Sequence, residues 1–222
     1  LCGLYKPTSG QIFINEKEVH FNSPKDAIDI GIGMVHQHFM LIQPFTVTEN
    51  IILGMEPTKG LTIDKETARE KVMELSERYG MKVDPDAKVE DISVGMQQRV
   101  EILKVLYRGA ETLILDEPTA VLTPQETEEL FEQLKLLREN GHTIIFISHK
   151  LNEVKALCNR MTILRDGKTM GTYEISDLDE QEISRLMVGR DVSLDIEKEE
   201  MDPGKTVFSV KDMVYVDQFG KT

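Results

Sequence analysis

Hydrophobic and polar positions change their spacing several times along the chain, and each change predicts an element. Residues 11–14 alternate and are followed by a turn at Asn15-Glu16, which predicts a short strand and a hairpin. A second hairpin is predicted at 161–173, around a turn at 165–167. Continuous apolar runs are typical of buried strands, and the chain has three of them, at 32–35, 112–115 and 143–147.

A helical period replaces this pattern between about residues 60 and 110. The first predicted helix has apolar residues at helical spacing, at Ala68, Val72, Leu75 and Tyr79. Gly80 follows and ends the run, and a second helical stretch occupies about 93–108. These two stretches predict a mainly helical subdomain, at about 60–110, inserted into an α/β core.

Two further helices have clear start signals. Pro24 follows Ser23, and Thr123 precedes Pro124 and Glu126 in the order of a capping residue, a first-position proline and a third-position glutamate. The second of these helices lies between two of the apolar runs. A strand–helix–strand unit with short connections predicts parallel strands joined by a right-handed crossover, so the predicted fold is α/β.

Composition limits the classes of protein to consider. The 222 residues are 40% hydrophobic and 29% charged, which suits one substantial globular domain and the start of another. The net charge of −13 argues against a general binder of nucleic acid or of anionic membranes. No apolar run approaches the roughly 20 residues that span a bilayer, and we expect a cytosolic chain.

The two ends of the chain differ from the ends of an ordinary domain. Residues 1–5 begin with Leu1 and resemble the end of a helix, so we interpret the start as a truncation. We place a first domain at 1–190. Residues 191–205 are acidic and poor in apolar residues, which suits a linker. A strand predicted at 206–210 then indicates that a second domain starts within 206–222.

Two carboxylates follow the apolar run at 112–115. Asp116 and Glu117 would lie at the carboxyl end of a buried parallel strand, which is the edge where open α/β sheets bind ligands. Asp116 could hold Mg²⁺, and Glu117 could orient or deprotonate a water molecule. The alternative is that this acidic pair only caps the next helix, and the two interpretations have equal weight from the residues alone.

His149 and Gln37 follow the other two runs. His149 should face the same edge, where it could donate a hydrogen bond to a terminal phosphate, although a lone histidine there is more often structural. Gln37 could bind a metal ion, but a glutamine in a loop is a weak signal. His36 and His38 lack the spacing of a zinc site.

Residues 93–97 begin the second helix of the insertion. Ser93 and Gly95 would expose backbone N–H groups at the positive end of a helix, which suits phosphate. The alternative is that Ser93 is an ordinary N-cap, and for this segment alone that alternative is the stronger one.

The order of these features resembles the ABC transporter ATPases. In that family the corresponding parts are the Q-loop, the signature motif, the Walker B strand with its catalytic glutamate, and the H-loop. The matching residues here are, in order, Gln37, then Ser93, Gly95 and Gln97, then 113–118, then His149. The resemblance covers about residues 1–190 and implies the P-loop NTPase fold of the ABC type.

Residues 33–41 and 93–104 look most similar to ATPase subunits of importers for nucleosides and simple sugars, which carry two ATPase domains per chain. The resemblance implies that ATP and Mg²⁺ bind between two domains, with Asp116 and Gln37 at the metal, Glu117 at the water, and His149 at the γ-phosphate. The signature residues Ser93, Gly95 and Gln97 would contact the nucleotide of the opposing domain.

The same resemblance implies the partners and the location. The partners would be transmembrane permease subunits, a second ATPase domain in the same or another chain and, indirectly, an extracytoplasmic solute-binding protein. No nucleic acid is expected. The subunit would be peripheral on the cytoplasmic face of the cell membrane.

Three departures from the family pattern leave alternatives open. The P-loop is absent, because Glu199 and Tyr215 stand where the two partial matches at 204–206 and 220–222 need a first glycine. We therefore interpret the chain as starting just after the first Walker A motif and expect it to be inactive alone. The upstream adenine-stacking aromatic is also missing, and the D-loop reads Val121-Leu122-Thr123 without an aspartate. The alternatives are a soluble ABC-type ATPase acting on nucleic acid or ribosomes, and a non-hydrolysing regulatory domain.

Overall fold

A computed structural model describes residues 1–190 and 204–214 of the chain. Within this part nine strands form, and all of them lie before residue 190. In chain order they are β1 (Ile12–Ile14), β2 (Lys17–Val19), β3 (Ile32–Val35), β4 (Thr58–Lys59), β5 (Thr62–Ile63), β6 (Thr112–Asp116), β7 (Thr143–Ile147), β8 (Arg160–Arg165) and β9 (Lys168–Glu174).

Seven α-helices accompany these strands in the described residues. They are α1 (Pro24–Asp29), α2 (Val47–Ile52), α3 (Lys65–Arg78), α4 (Val94–Tyr107), α5 (Pro124–Glu139), α6 (Leu151–Leu157) and α7 (Glu180–Val188). The predicted helices at Pro24, near 68–79, near 93–108 and at Pro124 correspond to α1, α3, α4 and α5. Helices α2, α6 and α7 were not predicted.

The centre of the fold is a parallel sheet in the order β3-β6-β7. Val35 pairs with Leu115, and Asp116 pairs with Ile147, so the three strands end at the same edge. The two predicted hairpins form as β1-β2 and β8-β9, both antiparallel. The predicted α/β class with a parallel core sheet is confirmed.

One strand is less buried than its sequence predicts. β7 was expected to be buried, but Ile145 and Ile147 are 37% and 44% exposed. Among the described residues β7 pairs only with β6, and one of its faces packs on α5, where Phe146 meets Phe131 at 6.0 Å between ring centroids. The opposite face, which carries Ile145 and Ile147, has no such cover.

The core lies between this sheet and the helices. Helix α4 comes very close to β3, because a Cβ added to Gly33 would stand 2.8 Å from side-chain carbons of Val105 and Ala110. Glycine is therefore required at this point of β3. The fully buried side chains of the core include Val35 of β3, Ile51 of α2, Val72 of α3, Ile102 and Leu103 of α4, Leu113 and Leu115 of β6, and Leu134 and Leu137 of α5.

Helix α3 packs on α4 within the range of about 60–110, and α2, which precedes that range and was not predicted, packs on both. The strand predicted at 206–210 is absent from the structure, where residues 204–214 form no helix or strand. Val207 and Phe208 are exposed, and no described strand pairs with this segment, so its backbone lacks the hydrogen-bonding partner that a strand requires. The predicted linker and the last eight residues fall largely outside the described residues.

Candidate functional site

The carboxyl edge of the central sheet carries four of the predicted site residues. Gln37 lies two residues beyond the end of β3, Asp116 is the last residue of β6, and Glu117 follows it. His149 lies two residues beyond the end of β7. The parallel register therefore brings these residues to one edge of the sheet, as their positions after apolar runs predict.

Two of the four residues are in direct contact. The Nδ1 atom of His149 lies 2.8 Å from Oε1 of Glu117. Because an ionised carboxylate can only accept hydrogen bonds, Nδ1 is the donor, and Nε2 of His149 is left for another partner. The histidine is largely exposed and the glutamate is mostly buried, so the pair opens to solvent on the histidine side.

The backbone of Glu117 is unusual for a residue with a side chain. Its φ is +46°, in the left-handed region, and its N–H donates to the carbonyl oxygen of Ile147 at 3.0 Å. Such conformations cost free energy and persist where neighbouring contacts hold them, often at functional sites. The Oε2 atom of Glu117 is enclosed and accepts no hydrogen bond from the described residues.

Asp116 and Gln37 provide oxygen atoms of the kind that Mg²⁺ prefers. Neither side chain is engaged in a hydrogen bond with another described residue, and Gln37 is exposed. Across the part of the chain that the structure describes, no group of three or more His, Cys, Asp or Glu residues could hold a metal ion. The donor set thus fits Mg²⁺ that arrives with phosphate oxygens, because this ion usually keeps waters and shares its ligands with phosphates.

The start of helix α4 is a separate part of the surface. Ser93 is its N-cap and accepts a hydrogen bond from the N–H of Met96 at 3.3 Å. Gly95 is buried, and its N–H donates to Oε1 of Glu126 at 3.2 Å. A Cβ at Gly95 would stand 2.5 Å from that same oxygen, so a side chain here would force the carboxylate of Glu126 to shift.

Glu126 is a residue of this region that the sequence identified only as a helix cap. Its Oε2 atom completes the capping box of α5 with the N–H and the hydroxyl of Thr123, at 3.0 Å each. The pKa of Glu126 lies below its ordinary value, mainly because the Thr123 N–H donates to it, with smaller contributions from the Thr123 hydroxyl and the Gly95 N–H. One carboxylate therefore serves the N-termini of both α4 and α5.

Gln97 forms its hydrogen bonds with the segment before α4. Its Nε2 atom donates to the carbonyl oxygens of Ile92 and Val89 at 3.3 and 3.4 Å, which fixes the turn before Ser93. Among the described residues no hydrogen bond joins Ser93, Gly95 or Gln97 to the carboxyl edge of the sheet. The structure thus places the predicted site residues in two groups.

Comparison with known proteins identifies the family to which this chain belongs. Residues 1–120 match the family model described as ABC transporter. Because these are 120 of the 222 residues, the chain belongs to the ABC transporter family.

Curated relatives narrow this family membership. The nucleoside import ATP-binding protein NupA of Lactococcus lactis subsp. cremoris is 54% identical over 213 residues, which cover 96% of this chain and 42% of that protein. The guanosine import ATP-binding protein NupO of Bacillus subtilis is 51% identical over 220 residues, which cover 99% of this chain and 43% of that protein. The chain thus spans about two-fifths of the length of these relatives. The predicted likeness to ATPase subunits of nucleoside importers is confirmed.

A solved structure supports the fold. The ATP-binding cassette MJ0796, a dimer in a post-hydrolysis state with ADP and phosphate, matches with a TM-score of 0.63 and 26% identity over 78% of this chain and 76% of that one. The predicted P-loop NTPase fold of the ABC ATPase type is therefore confirmed. Among the helices that the structure describes, none is both long enough and apolar enough to cross a membrane.

Proposed function

We propose that this chain is part of an ATP-hydrolysing subunit that powers the uptake of a nucleoside or a simple sugar through an ABC transporter. The observation that carries the proposal is the Glu117–His149 contact beside Asp116 at the carboxyl edge of the sheet. The names of the two curated relatives favour a nucleoside over a sugar as the solute.

The geometry of the pair suggests different catalytic roles for Glu117 and His149. Oε1 of Glu117 is held by His149, and the carboxylate would accept a proton from the attacking water. An imidazolium donates from both ring nitrogens, so in that form the exposed Nε2 of His149 would donate to the γ-phosphate and stabilise its charge in the transition state. Catalysis of this kind depends on positioning and electrostatics.

Asp116 and Gln37 would hold Mg²⁺ together with the phosphates of ATP. When bound, this ion neutralises part of the phosphate charge. Asp116 lies directly before Glu117 in the chain, so the metal ligand and the water-activating carboxylate are fixed by the same strand end.

Ser93 and Gly95 would serve a nucleotide held by an opposing domain. The exposed hydroxyl of Ser93 is available to such a ligand, and the N–H of Gly95 already donates to Glu126. Gln97 would contribute by fixing the turn that presents Ser93. The dimeric state of the MJ0796 cassette makes a head-to-tail pair of domains a reasonable model for this family.

The partners and the domain limits belong to the same proposal. The subunit would bind permease subunits at the cytoplasmic face of the membrane and receive solute indirectly from an extracytoplasmic binding protein. Residues 1–190 would be one ATPase domain, with its helical insertion at about 60–110 and a linker at 191–205. Residues 206–222 would begin a second domain. The net charge of −13 agrees with the absence of nucleic acid from this set of partners.

The replacement Glu117→Gln in the complete natural protein tests the catalytic part. It should leave ATP binding intact and lower the rate of hydrolysis by roughly 10²-fold or more, the scale for loss of a general base. Glu111→Gln is the matched control, because Glu111 precedes the opposite end of β6 and is exposed. Binding is measured by titration with ATP and hydrolysis by release of phosphate. Turnover of Glu117→Gln at the parent rate would contradict the assignment.

A further inference from the structure

A buried carboxylate lies next to the proposed catalytic pair without belonging to it. Glu153, in the first turn of α6, is only 9% exposed. Its oxygens accept hydrogen bonds from the hydroxyl of Thr119, 2.7 Å away, and from the hydroxyl of Ser148 at 3.1 Å. Oε1 also pairs with Nζ of Lys150 at 3.0 Å. Burial of a carboxylate is costly unless it is paired and hydrogen-bonded in this way.

The partners of Glu153 are the neighbours of the catalytic pair along the chain. Thr119 lies two residues after Glu117 and is 1% exposed. Ser148 and Lys150 stand on either side of His149. The carboxylate of Glu153 therefore joins the segment that carries Glu117 to the segment that carries His149.

Further hydrogen bonds close the network. Nζ of Lys150 donates to the hydroxyl of Thr119 at 3.2 Å, and the N–H of Lys150 donates to the hydroxyl of Ser148 at 3.0 Å. Thr119, Ser148 and Lys150 each make two or more of these bonds, so displacement of one group disturbs the others. Hydrogen bonds that share a buried carboxylate in this way make the surrounding structure rigid.

We propose that Glu153 is a positioning residue for ATP hydrolysis. It fixes the relative positions of Glu117 and His149 through its bonds to Thr119, Ser148 and Lys150. The proposal rests on the function proposed above. The left-handed backbone of Glu117 has to be held by its surroundings, and Thr119 is the nearest residue after it that is anchored by a buried side-chain bond. The distance of 2.8 Å between Glu117 and His149 depends on the relative position of the two segments that Glu153 joins.

The replacement Thr119→Val in the complete natural protein tests this role with little change of shape. We expect kcat for ATP hydrolysis to fall about tenfold or more, with KM for ATP within about twofold of the parent, because small errors of position at reacting groups are costly. The matched control is Thr48→Val. Thr48 is also a buried threonine, and its hydroxyl donates to the carbonyl oxygen of Pro85 at 2.8 Å, away from the sheet edge. Both variants should lose a similar amount of thermal stability, but Thr48→Val should keep kcat within about twofold.

A second variant and a double-mutant cycle separate positioning from general damage. Glu153→Gln keeps the volume of the side chain but loses its charge, and it should also lower kcat with little effect on KM. When Glu117 is already glutamine, adding Thr119→Val should lower single-turnover hydrolysis by less than about threefold, because residues that act as a unit are not additive.

Equal kcat values for Thr119→Val and Thr48→Val would overturn the positioning role, and so would a tenfold loss that persists in the Glu117→Gln background. Parent activity in Glu117→Gln itself would instead refute the proposed function, and the positioning role with it.

Discussion

At the scale of single residues, the carboxylate of Glu126 lies so close to Gly95 that it would have to move to admit a side chain there. Oε1 accepts a hydrogen bond from the N–H of Gly95, and Oε2 caps α5 through Thr123. An anionic side chain at two helix N-termini is stabilised by both helix dipoles, which agrees with the lowered pKa of Glu126. A side chain at position 95 would thus disturb a contact within this chain, in addition to any role toward a bound nucleotide.

This contact predicts a non-additive pair of substitutions. Gly95→Ala should lower the free energy of unfolding by about 1–2 kcal/mol, because the added methyl group displaces the carboxylate of Glu126. In a Glu126→Ala background the same substitution should cost clearly less, since the displaced atoms are gone. Urea unfolding of the parent, the two single variants and the double variant measures the coupling. Strict additivity of the two changes would show that the contact does not determine the cost.

At the scale of elements, the sequence predicted the helices and strands that have an apolar run, a helical period or a clear start signal. The runs at 32–35, 112–115 and 143–147 became β3, β6 and β7, and the helices with periods or start signals became α1, α3, α4 and α5. Helices α2, α6 and α7 have only six to nine residues, too few for a clear helical period. The strand predicted at 206–210 did not form, because a strand needs a partner that its own pattern cannot supply.

The candidate site likewise has contacts that the sequence pattern predicts and contacts that it does not. The meeting of Asp116, Glu117 and His149 at one edge follows from strand ends, which the apolar runs reveal. The bonds of Glu126 to Gly95 and of Glu153 to Thr119 join residues 31 and 34 positions apart. Such contacts depend on how helices pack on the sheet, and a pattern along the chain does not encode that packing directly.

Helix α2 holds the loop that follows Gln37 through hydrogen bonds of Asn50, and this contact can be tested. Asn50, buried in α2, accepts a hydrogen bond from the N–H of Ile42 at 2.7 Å and donates to the carbonyl oxygens of Ile42 and Thr46 at 3.0 and 3.1 Å. Asn50→Ala should lower the free energy of unfolding by about 2–4 kcal/mol, because it leaves the polar groups of Ile42 without these partners.

Asn140→Ala is the matched control for this substitution. Asn140 follows α5, is exposed, and donates one hydrogen bond to the carbonyl oxygen of Leu136 at 2.8 Å. Its replacement should cost about 0.5 kcal/mol or less, as is usual for surface positions. Denaturant unfolding measures both variants. Equal costs for Asn50→Ala and Asn140→Ala would mean that α2 does not order the loop through Asn50.

At the scale of the whole molecule, one histidine connects the helical region to the sheet. Nδ1 of His142, just before β7, lies 3.1 Å from the carbonyl oxygen of Ala110, just before β6. Because a carbonyl oxygen only accepts, Nδ1 is the donor, and Nε2 accepts from the hydroxyl of Tyr79 at 3.0 Å. Tyr79 caps α3, so the neutral imidazole joins α3 to the amino ends of two strands.

This connection predicts that stability falls on mild acidification. Burial is the largest influence and lowers the pKa of His142 below its ordinary value of 6.5. The hydrogen bond to Ala110 comes next and raises it, whereas Arg78 lowers it and Glu111 raises it, so the net shift of the pKa is downward. The unfolded chain therefore binds a proton at this histidine as the pH falls through 6.5, while the folded chain still resists it. The free energy of unfolding must decrease in this window, by at most about 1.4 kcal/mol per pH unit for one proton, and the effect vanishes above it.

In His142→Gln this titration is absent, whereas the many carboxylates titrate as in the parent. Thermal unfolding of both proteins between pH 7.5 and 5.5 should show the parent losing more stability than the variant. Parallel losses would mean that the fold does not hold His142 neutral.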